Sequence, residues 1–131
     1  MKRTQIIRKA IRDVEVASGR KVTRQQFSNI RKCLQNPQSC LDPNSARNWP
    51  REKGRVMADW VKHENKGRSP SQKISWPTYK QDVRNSSGGK IASKGDLFDG
   101  HHYIPKAVGG PNQSWNIVPV PKPMHQSIIH R

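Results

Sequence analysis

Apolar residues recur every three or four positions near the start of the chain, which is the spacing of an amphipathic helix. In the stretch TQIIRKAIRDVEVASG they fall on one helical face. The positions on that face are Ile6, Ile7, Ala10, Ile11 and Val14. Gly19 follows at the position where a glycine commonly ends a helix. The pattern therefore predicts a first helix that ends near residue 18.

A second amphipathic pattern begins at Thr23. Thr23 and Gln26 have the spacing of a capping box, in which each side chain bonds the backbone N–H of the other residue. The apolar stripe after this box consists of Phe27, Ile30 and Leu34. It stops at Asn-Pro, residues 36–37, so the sequence predicts a second helix of about three turns.

A third helix is predicted from about Arg51 to Glu64. Its inward positions are Val56, Met57, Trp60 and Val61. The preceding stretch DPNSARNWP is typical of a turn or a short helix. Two breaks follow the helix, NKGRSPSQ and the Gly/Ser/Lys-rich NSSGGKIASKGD.

Beyond Gly95 the pattern changes from helical to extended. DLFDGHHYIP places apolar residues around two histidines, as in a strand, and AVGGPNQS supplies turn residues. In WNIVPV, alternate residues would point to opposite faces of a strand. One face would have Trp115, Ile117 and Pro119, and the other Asn116, Val118 and Val120. The pattern predicts a hairpin with a long connection, followed by a helix from about Pro121 or Pro123 to His130.

The net charge of the chain indicates what kind of partner it binds. Among 131 residues, 25 Lys and Arg face 9 Asp and Glu, which gives a formal charge of +16. A field of one sign on this scale favours a polyanion, and nucleic acid is the usual one. A solubility surface, or an acidic protein partner, is the alternative. Only Lys106, Lys122 and Arg131 lie beyond Gly95, so the other 22 basic residues precede the extended segment.

Other features of the sequence say less about the kind of protein this is. The hydrophobic content of 31% indicates a small core that a metal or a partner would help to stabilise. No apolar run has membrane-spanning length. Cys33 and Cys40 could form a disulfide or stay free thiols. The two basic N-terminal helices fit a helix-turn-helix, but a helical subdomain that supports the extended segment and offers Lys and Arg to phosphates is the favoured interpretation.

Four of the five histidines lie in the last 31 residues. His101 and His102 are adjacent on a predicted strand, so their side chains point to opposite faces and serve different purposes. His125 and His130 are five residues apart on the predicted helix, one more than the interval that aligns two ligands. Three neutral imidazoles would leave an open position on a zinc-like ion. The alternative is a set of surface histidines in a basic segment.

The ordered set of His-His, Gly-Gly, Asn and two later histidines resembles the His-Asn-His (HNH) nuclease motif. Its spacing is similar to that of the E-group colicin DNases. The phrases WPTY, GDLFDGHH and HHYIPKAVGGPNQSWN…HQSIIH look closer still to C-terminal toxin domains of bacterial polymorphic toxins, in the Rhs, contact-dependent inhibition and type VI systems. This resemblance covers about residues 74–131, and nothing comparable supports residues 1–73.

The resemblance implies a fold and a role for each histidine. The fold is α+β, a basic N-terminal helical region (1–73) followed by a C-terminal ββα-metal finger (74–131), together one compact domain. His102 would be the general base, and Asn116 would orient its ring through a hydrogen bond. His101, His125 and His130 would bind one divalent ion, Zn²⁺ or else Mg²⁺, Mn²⁺ or Ni²⁺. His130 departs from the colicin interval of four residues and is the weakest of the three.

The resemblance also gives roles to residues around the histidines. Asp99 would orient a ligand histidine or pair with an arginine, and a solvated turn acid is its alternative. Trp115 is expected to anchor the core of the finger rather than stack on bases. The candidates for contacts with nucleic-acid phosphates are Arg84, Lys90, Lys94 and Lys106, although any of the 22 basic residues before Gly95 could serve equally.

The function implied is a metal-dependent endonuclease that cleaves DNA with little sequence specificity. We expect a toxin domain of a larger antibacterial effector, secreted or delivered into the target-cell cytoplasm, with an acidic immunity protein as its partner in the producer. The alternatives are a phage or mobile-element HNH endonuclease, an RNase toxin, and a non-enzymatic nucleic-acid binder with a closed structural zinc site.

Overall fold

The computed structural model describes residues 3–122 and shows a mixed α+β fold. The helices are α1 (Arg3–Ser18), α2 (Arg24–Gln35), the single turn α3 (Pro37–Cys40) and α4 (Ser45–Glu64). The strands are β1 (Val83–Arg84), β2 (Lys90–Ala92), β3 (Asp99–His102) and β4 (Ile117–Val120). Short 3-10 turns lie at Pro70–Gln72, Lys106–Val108 and Ser114–Asn116. The predicted α+β class, with helices before a hairpin, is confirmed.

The capping box at the start of α2 forms as predicted, but the predicted stripe behind it is partly wrong. Gln26 donates its backbone N–H to the Thr23 hydroxyl, and its side-chain oxygen accepts from the Thr23 N–H. This reciprocal pair turns Gln26 inward, and Ile30 and Cys33 follow it at helical spacing. Phe27 is rotated about 100° away from that face. Its side chain is therefore 47% exposed, not buried as the stripe predicted.

Helix α4 begins six residues earlier than predicted. It starts at Ser45 and continues through Pro50, where the prediction had a turn or a short helix. Proline removes one backbone hydrogen bond from a helix, so the extra turns depend on tertiary packing. Ser45 and Trp49 supply it, because both are buried. The inward set was predicted correctly: Val56 and Trp60 are buried, and Met57 and Val61 pack at the margin of the same cluster.

Cys33 and Cys40 form a disulfide, which decides between the two possibilities that the sequence left open. The bond connects α2 to α3 across the Asn-Pro break, with Cα atoms 5.2 Å apart. It fixes the turn that leads to the start of α4.

Strands β3 and β4 form the predicted antiparallel hairpin with a long connection. His101 lies opposite Val118, and His102 opposite Ile117. The predicted alternation along β4 is present, and all four of its residues are buried. The two faces of the strand pack against different helices: Val118 and Val120 contact α1, whereas Ile117 contacts α4.

Two hydrophobic clusters hold the helices to the hairpin. The first joins Ile11, Val14, Ala17, Ile30 and Cys33 to Tyr103, Ile104, Val118 and Val120. The second joins Trp49, Val56 and Trp60 to Trp76 and Ile117. Each cluster takes residues from both sides of residue 73. The division at residues 73–74 stays a prediction, and the predicted helix ending at His130 lies outside the described residues.

Candidate nuclease site

The two adjacent histidines lie at the end of β3, in different environments. His102 is 2% exposed and points into the protein, whereas His101 is half-buried. Neighbouring side chains on a strand alternate between its two faces, so the separation of roles predicted from the sequence is geometrically available.

The imidazole of His102 is held from two directions. Its Nε2 lies 2.8 Å from Oδ1 of Asn112, and its ring meets the Trp49 indole edge-on with ring centres 4.6 Å apart. Its Nδ1 is buried and has no hydrogen-bond partner among residues 3–122. Burial lowers the pKa of His102 to about 4 and the nearby Lys106 charge acts in the same direction, although the Asn112 bond opposes them. The ring is therefore neutral near pH 7, with one nitrogen free to accept a proton.

Asn112 connects His102 to helix α4. Its side-chain nitrogen donates to the backbone carbonyl of Ser45 at 3.0 Å and to Oε1 of Glu52 at 2.9 Å. The residue is buried, so this network is shielded from water on the His102 side. Sequence analysis assigned this asparagine only to a turn, although its place directly after Gly-Gly-Pro was a visible signal.

Asn116 has a different role from the predicted one. Its Oδ1 accepts the N–H of Ile104 at 2.8 Å, and its Nδ2 donates to the carbonyls of Ile104 and Pro111, both at 3.1 Å. Its backbone carbonyl accepts from Tyr103. The predicted hydrogen bond to the His102 ring is therefore not made within residues 3–122. Asn116 instead clamps the two ends of the β3–β4 connection, and Asn112 takes the contact with His102.

The two glycines of the connection are required by its backbone. A Cβ at Gly110 would lie 1.7 Å from the carbonyl oxygen of Ile104, which no rearrangement of a side chain relieves. Gly109 has φ of +89°, a conformation that favours glycine. The tight approach brings Asn112 under His102.

A groove of about 840 Å³ runs between α4 and the segment entering β3. Its charged lining residues are Arg51, Lys53, Asp96, Asp99, Lys106 and Lys122. Trp49 lies in its wall, packed against Gly100 with the Lys106 ammonium 5.6 Å from the ring centre. Four cations against two carboxylates make a surface suited to a phosphate backbone.

Only Lys106 of the four predicted phosphate contacts lines this groove. Burial lowers the pKa of Lys106, while the charge of Asp99 opposes that shift. Arg84 and Lys90 lie on the separate β1–β2 hairpin, where Lys90 pairs with Asp82 at 3.4 Å. Lys94 lies in the exposed turn after that hairpin.

The groove also contains basic residues that sequence analysis did not single out. Arg51 and Lys53 lie at the start of the predicted third helix, and the sequence alone does not distinguish them from the other basic residues before Gly95. Only the fold shows that this part of α4 faces the histidine strand. Asp99 lies half-buried in the groove, and its predicted role in orienting a ligand or pairing with arginine stays a prediction.

The predicted metal ligands lie partly beyond the described chain. His125 and His130 are outside it, and within residues 3–122 no group of three His, Cys, Asp or Glu side chains could hold an ion. His101 remains, half-buried on β3, and its imidazole is a suitable donor for zinc or nickel. Trp115, the predicted anchor, is partly buried against the first cluster.

The chain is similar to a bacterial toxin. Toxin YxiD of Bacillus subtilis (strain 168) is 32% identical over 134 aligned positions, which cover 97% of this chain and 22% of that protein. The chain thus spans about a fifth of the length of this relative, and the similarity includes both the helical and the hairpin parts. No protein-family model matches the sequence, and no solved structure matches it. No helix among residues 3–122 is long and apolar enough to cross a membrane.

Proposed function

We propose that this chain is a metal-dependent HNH endonuclease that hydrolyses DNA with little sequence specificity and acts as a toxin. The observation that carries the proposal is the hairpin strand with two histidines in separate environments, beside a basic groove. One histidine, His102, is buried and held by Asn112 and Trp49, whereas the other, His101, is half-buried and would serve as a metal ligand. A fold used only for binding has no need of this division.

In the proposed reaction His102 accepts a proton from water, and the water oxygen attacks the phosphorus atom. The bond from phosphorus to the 3′ oxygen breaks, which leaves a 5′-phosphate, and the 3′ oxygen takes a proton from solvent to become a 3′-hydroxyl. Nδ1 of His102 has almost no solvent-accessible surface. The side chains packed against the ring, Trp49 among them, must therefore shift when substrate and water enter. The low pKa of His102 makes it a weak base. For the same reason the protonated ring releases its proton readily after each cycle.

His101, His125 and His130 are the residues that would hold the divalent ion. Such an ion, when bound, neutralises charge on the scissile phosphate and on the leaving oxygen. His101 suits this role because it is half-buried and lies outside the hydrogen-bond network that holds the buried His102.

The groove would bind the backbone of the nucleic acid through its cations. Arg51, Lys53 and Lys106 all line its wall. Contacts to phosphate oxygens position a strand without reading its sequence. The formal charge of +16 adds attraction over a longer range.

The toxin role is supported by the similarity to Toxin YxiD. We propose that the chain is delivered as part of an effector and acts in the cytoplasm of a target cell. A producer then needs an acidic immunity protein, whose charge would match the groove and cover it.

The proposal is tested by incubating the purified chain with supercoiled plasmid and, separately, with total RNA. Each reaction contains Mg²⁺, Mn²⁺, Ni²⁺, Zn²⁺ or EDTA. We expect metal-dependent nicking of the plasmid. Cleavage of RNA alone would assign the same chemistry to another substrate, and no cleavage with any ion would refute the nuclease.

Two variants sharpen this test. His102→Gln keeps an N–H group that can reach Asn112 but has no basic nitrogen, so we expect a folded and inactive chain. His63→Ala, in helix α4 and outside the groove, is the matched control and should retain full cleavage. Full activity of His102→Gln would remove His102 from the mechanism.

A further inference from the structure

The orientation of the Asn112 amide is determined by its surroundings. Its nitrogen faces the carbonyl oxygen of Ser45 and the carboxylate of Glu52, at 3.0 and 2.9 Å. A backbone carbonyl can only accept a hydrogen bond, and so can an ionised carboxylate. The NH₂ group must therefore face these two acceptors, and Oδ1 must face His102.

Glu52 is held in its ionised form. The hydrogen bond from Asn112 is the largest contribution and lowers the pKa of Glu52; burial opposes it, and the nearby Arg55 lowers the pKa further. Its other oxygen, Oε2, lies 3.3 Å from the Arg55 guanidinium. The side chain is 31% exposed, so the charge keeps partial contact with water. A carboxylate without a proton cannot donate to Asn112, which removes the flipped amide as a stable alternative.

The consequence for His102 concerns its tautomer. Oδ1 of Asn112 is an acceptor 2.8 Å from Nε2, so Nε2 must carry the ring proton. A neutral imidazole has only one N–H group, and Nδ1 therefore keeps its lone pair. This is the nitrogen that has no hydrogen-bond partner among residues 3–122.

We propose that Asn112 and Glu52 are positioning residues that fix His102 in the Nε2–H tautomer and leave Nδ1 as the proton acceptor. The inference rests on the proposed nuclease function for its catalytic consequence, but not for the tautomer itself. It assigns part of the site to helix α4, in the segment that the HNH resemblance does not cover. Neither residue touches the substrate in this scheme; each acts through His102.

The tautomer is measured by long-range ¹H–¹⁵N correlation spectra of the labelled 131-residue chain above neutral pH, in EDTA. His102→Gln identifies the His102 signals by their loss. We expect a protonated Nε2 and an unprotonated Nδ1 in the unmodified chain. A protonated Nδ1 would overturn the proposal.

Glu52→Gln tests the role of the carboxylate. A glutamine can donate as well as accept, so only the Ser45 carbonyl still requires the Asn112 NH₂ group, and His102 is held less strictly in one tautomer. The expected kinetic effect is a fall in kcat of about tenfold to a hundredfold with little change in KM. Asp59→Asn is the matched control, since Asp59 lies on the same helix and also pairs with Arg55, at 3.6 Å, without contacting Asn112. Equal effects of the two substitutions would refute a specific role for Glu52.

Failure of this inference is distinguishable from failure of the proposed function. An inactive unmodified chain refutes the nuclease whatever the spectrum shows. An active chain with a protonated Nδ1, or with unchanged kcat in both Glu52→Gln and Asn112→Asp, refutes only the positioning role. Asn112→Asp keeps an acceptor toward Nε2 but loses both donors and places a second negative charge beside Glu52.

Discussion

Asn116 makes three hydrogen bonds from a position with 0% exposure, so its replacement by alanine should strongly destabilise the fold. The substitution leaves the N–H of Ile104 and the carbonyls of Ile104 and Pro111 without their partner. Each unsatisfied buried polar group costs about 1–3 kcal/mol. Allowing for local relaxation, we expect the free energy of unfolding to fall by about 3–5 kcal/mol. That is a large share of the total stability of a domain this size.

Asn85→Ala is the matched control for Asn116→Ala. Asn85 also makes three hydrogen bonds through its Oδ1, with Ser87 and Gly89, but it lies in the exposed β1–β2 turn. Water replaces those partners, so the loss should stay within about 1 kcal/mol. Urea denaturation followed by tryptophan fluorescence measures both values. Equal, small losses for the two variants would refute the clamp assigned to Asn116.

Three further predictions concern the groove and the disulfide. Gly100→Ala places a Cβ 2.9 Å from Cζ2 of Trp49, so the indole must move, and its fluorescence and the cleavage rate should both change. Lys106→Gln should lower the slope of DNA affinity against salt concentration by about one, with little loss of stability. Reduction of Cys33–Cys40, seven residues apart, should lower the free energy of unfolding by about 2.5 kcal/mol in denaturant titrations.

Each of these predictions has a control or a contradicting result. Gly54→Ala has open space around its Cβ within α4, so it should leave the Trp49 fluorescence unchanged and add about 0.5–1 kcal/mol of stability. Lys90→Gln, on the β1–β2 hairpin, should change DNA affinity less than Lys106→Gln does. An unchanged salt slope in Lys106→Gln would place the nucleic acid elsewhere. Unchanged stability on reduction would mean that the α2–α3 turn holds without its bond.

Local signals predicted the elements of this fold well. The capping pair Thr23 and Gln26 is a contact between residues three apart, and hydrogen bonding within one turn decides it. The β3–β4 hairpin was predicted because extended patterns flanked a Gly-rich connection. Such features depend on neighbours in sequence, which a single chain displays directly.

The features that were missed depend on contacts between distant segments. The start of α4 before Pro50 requires the burial of Trp49 by the hairpin, about fifty residues later. The fully buried β4 requires helices on both of its faces. Neither condition is visible as a periodicity.

The candidate site shows the same division. The neighbouring histidines and the basic charge could be found from composition and spacing. The sequence could not show that Asn112, and not Asn116, contacts His102. Both asparagines lie in the β3–β4 connection, and only its backbone path decides which one reaches the ring. Glu52 was also invisible in the sequence, since it is 60 residues away from its partner Asn112.

The central claim, metal-dependent cleavage at this site, is tested most directly by titrating a divalent ion into the metal-free chain. Bound ion and plasmid nicking are measured in the same samples. The account predicts that cleavage rises with occupancy, saturates at one ion per chain and is lost together with binding in His101→Ala. Full cleavage in EDTA, or binding and cleavage that survive in His101→Ala, would contradict it.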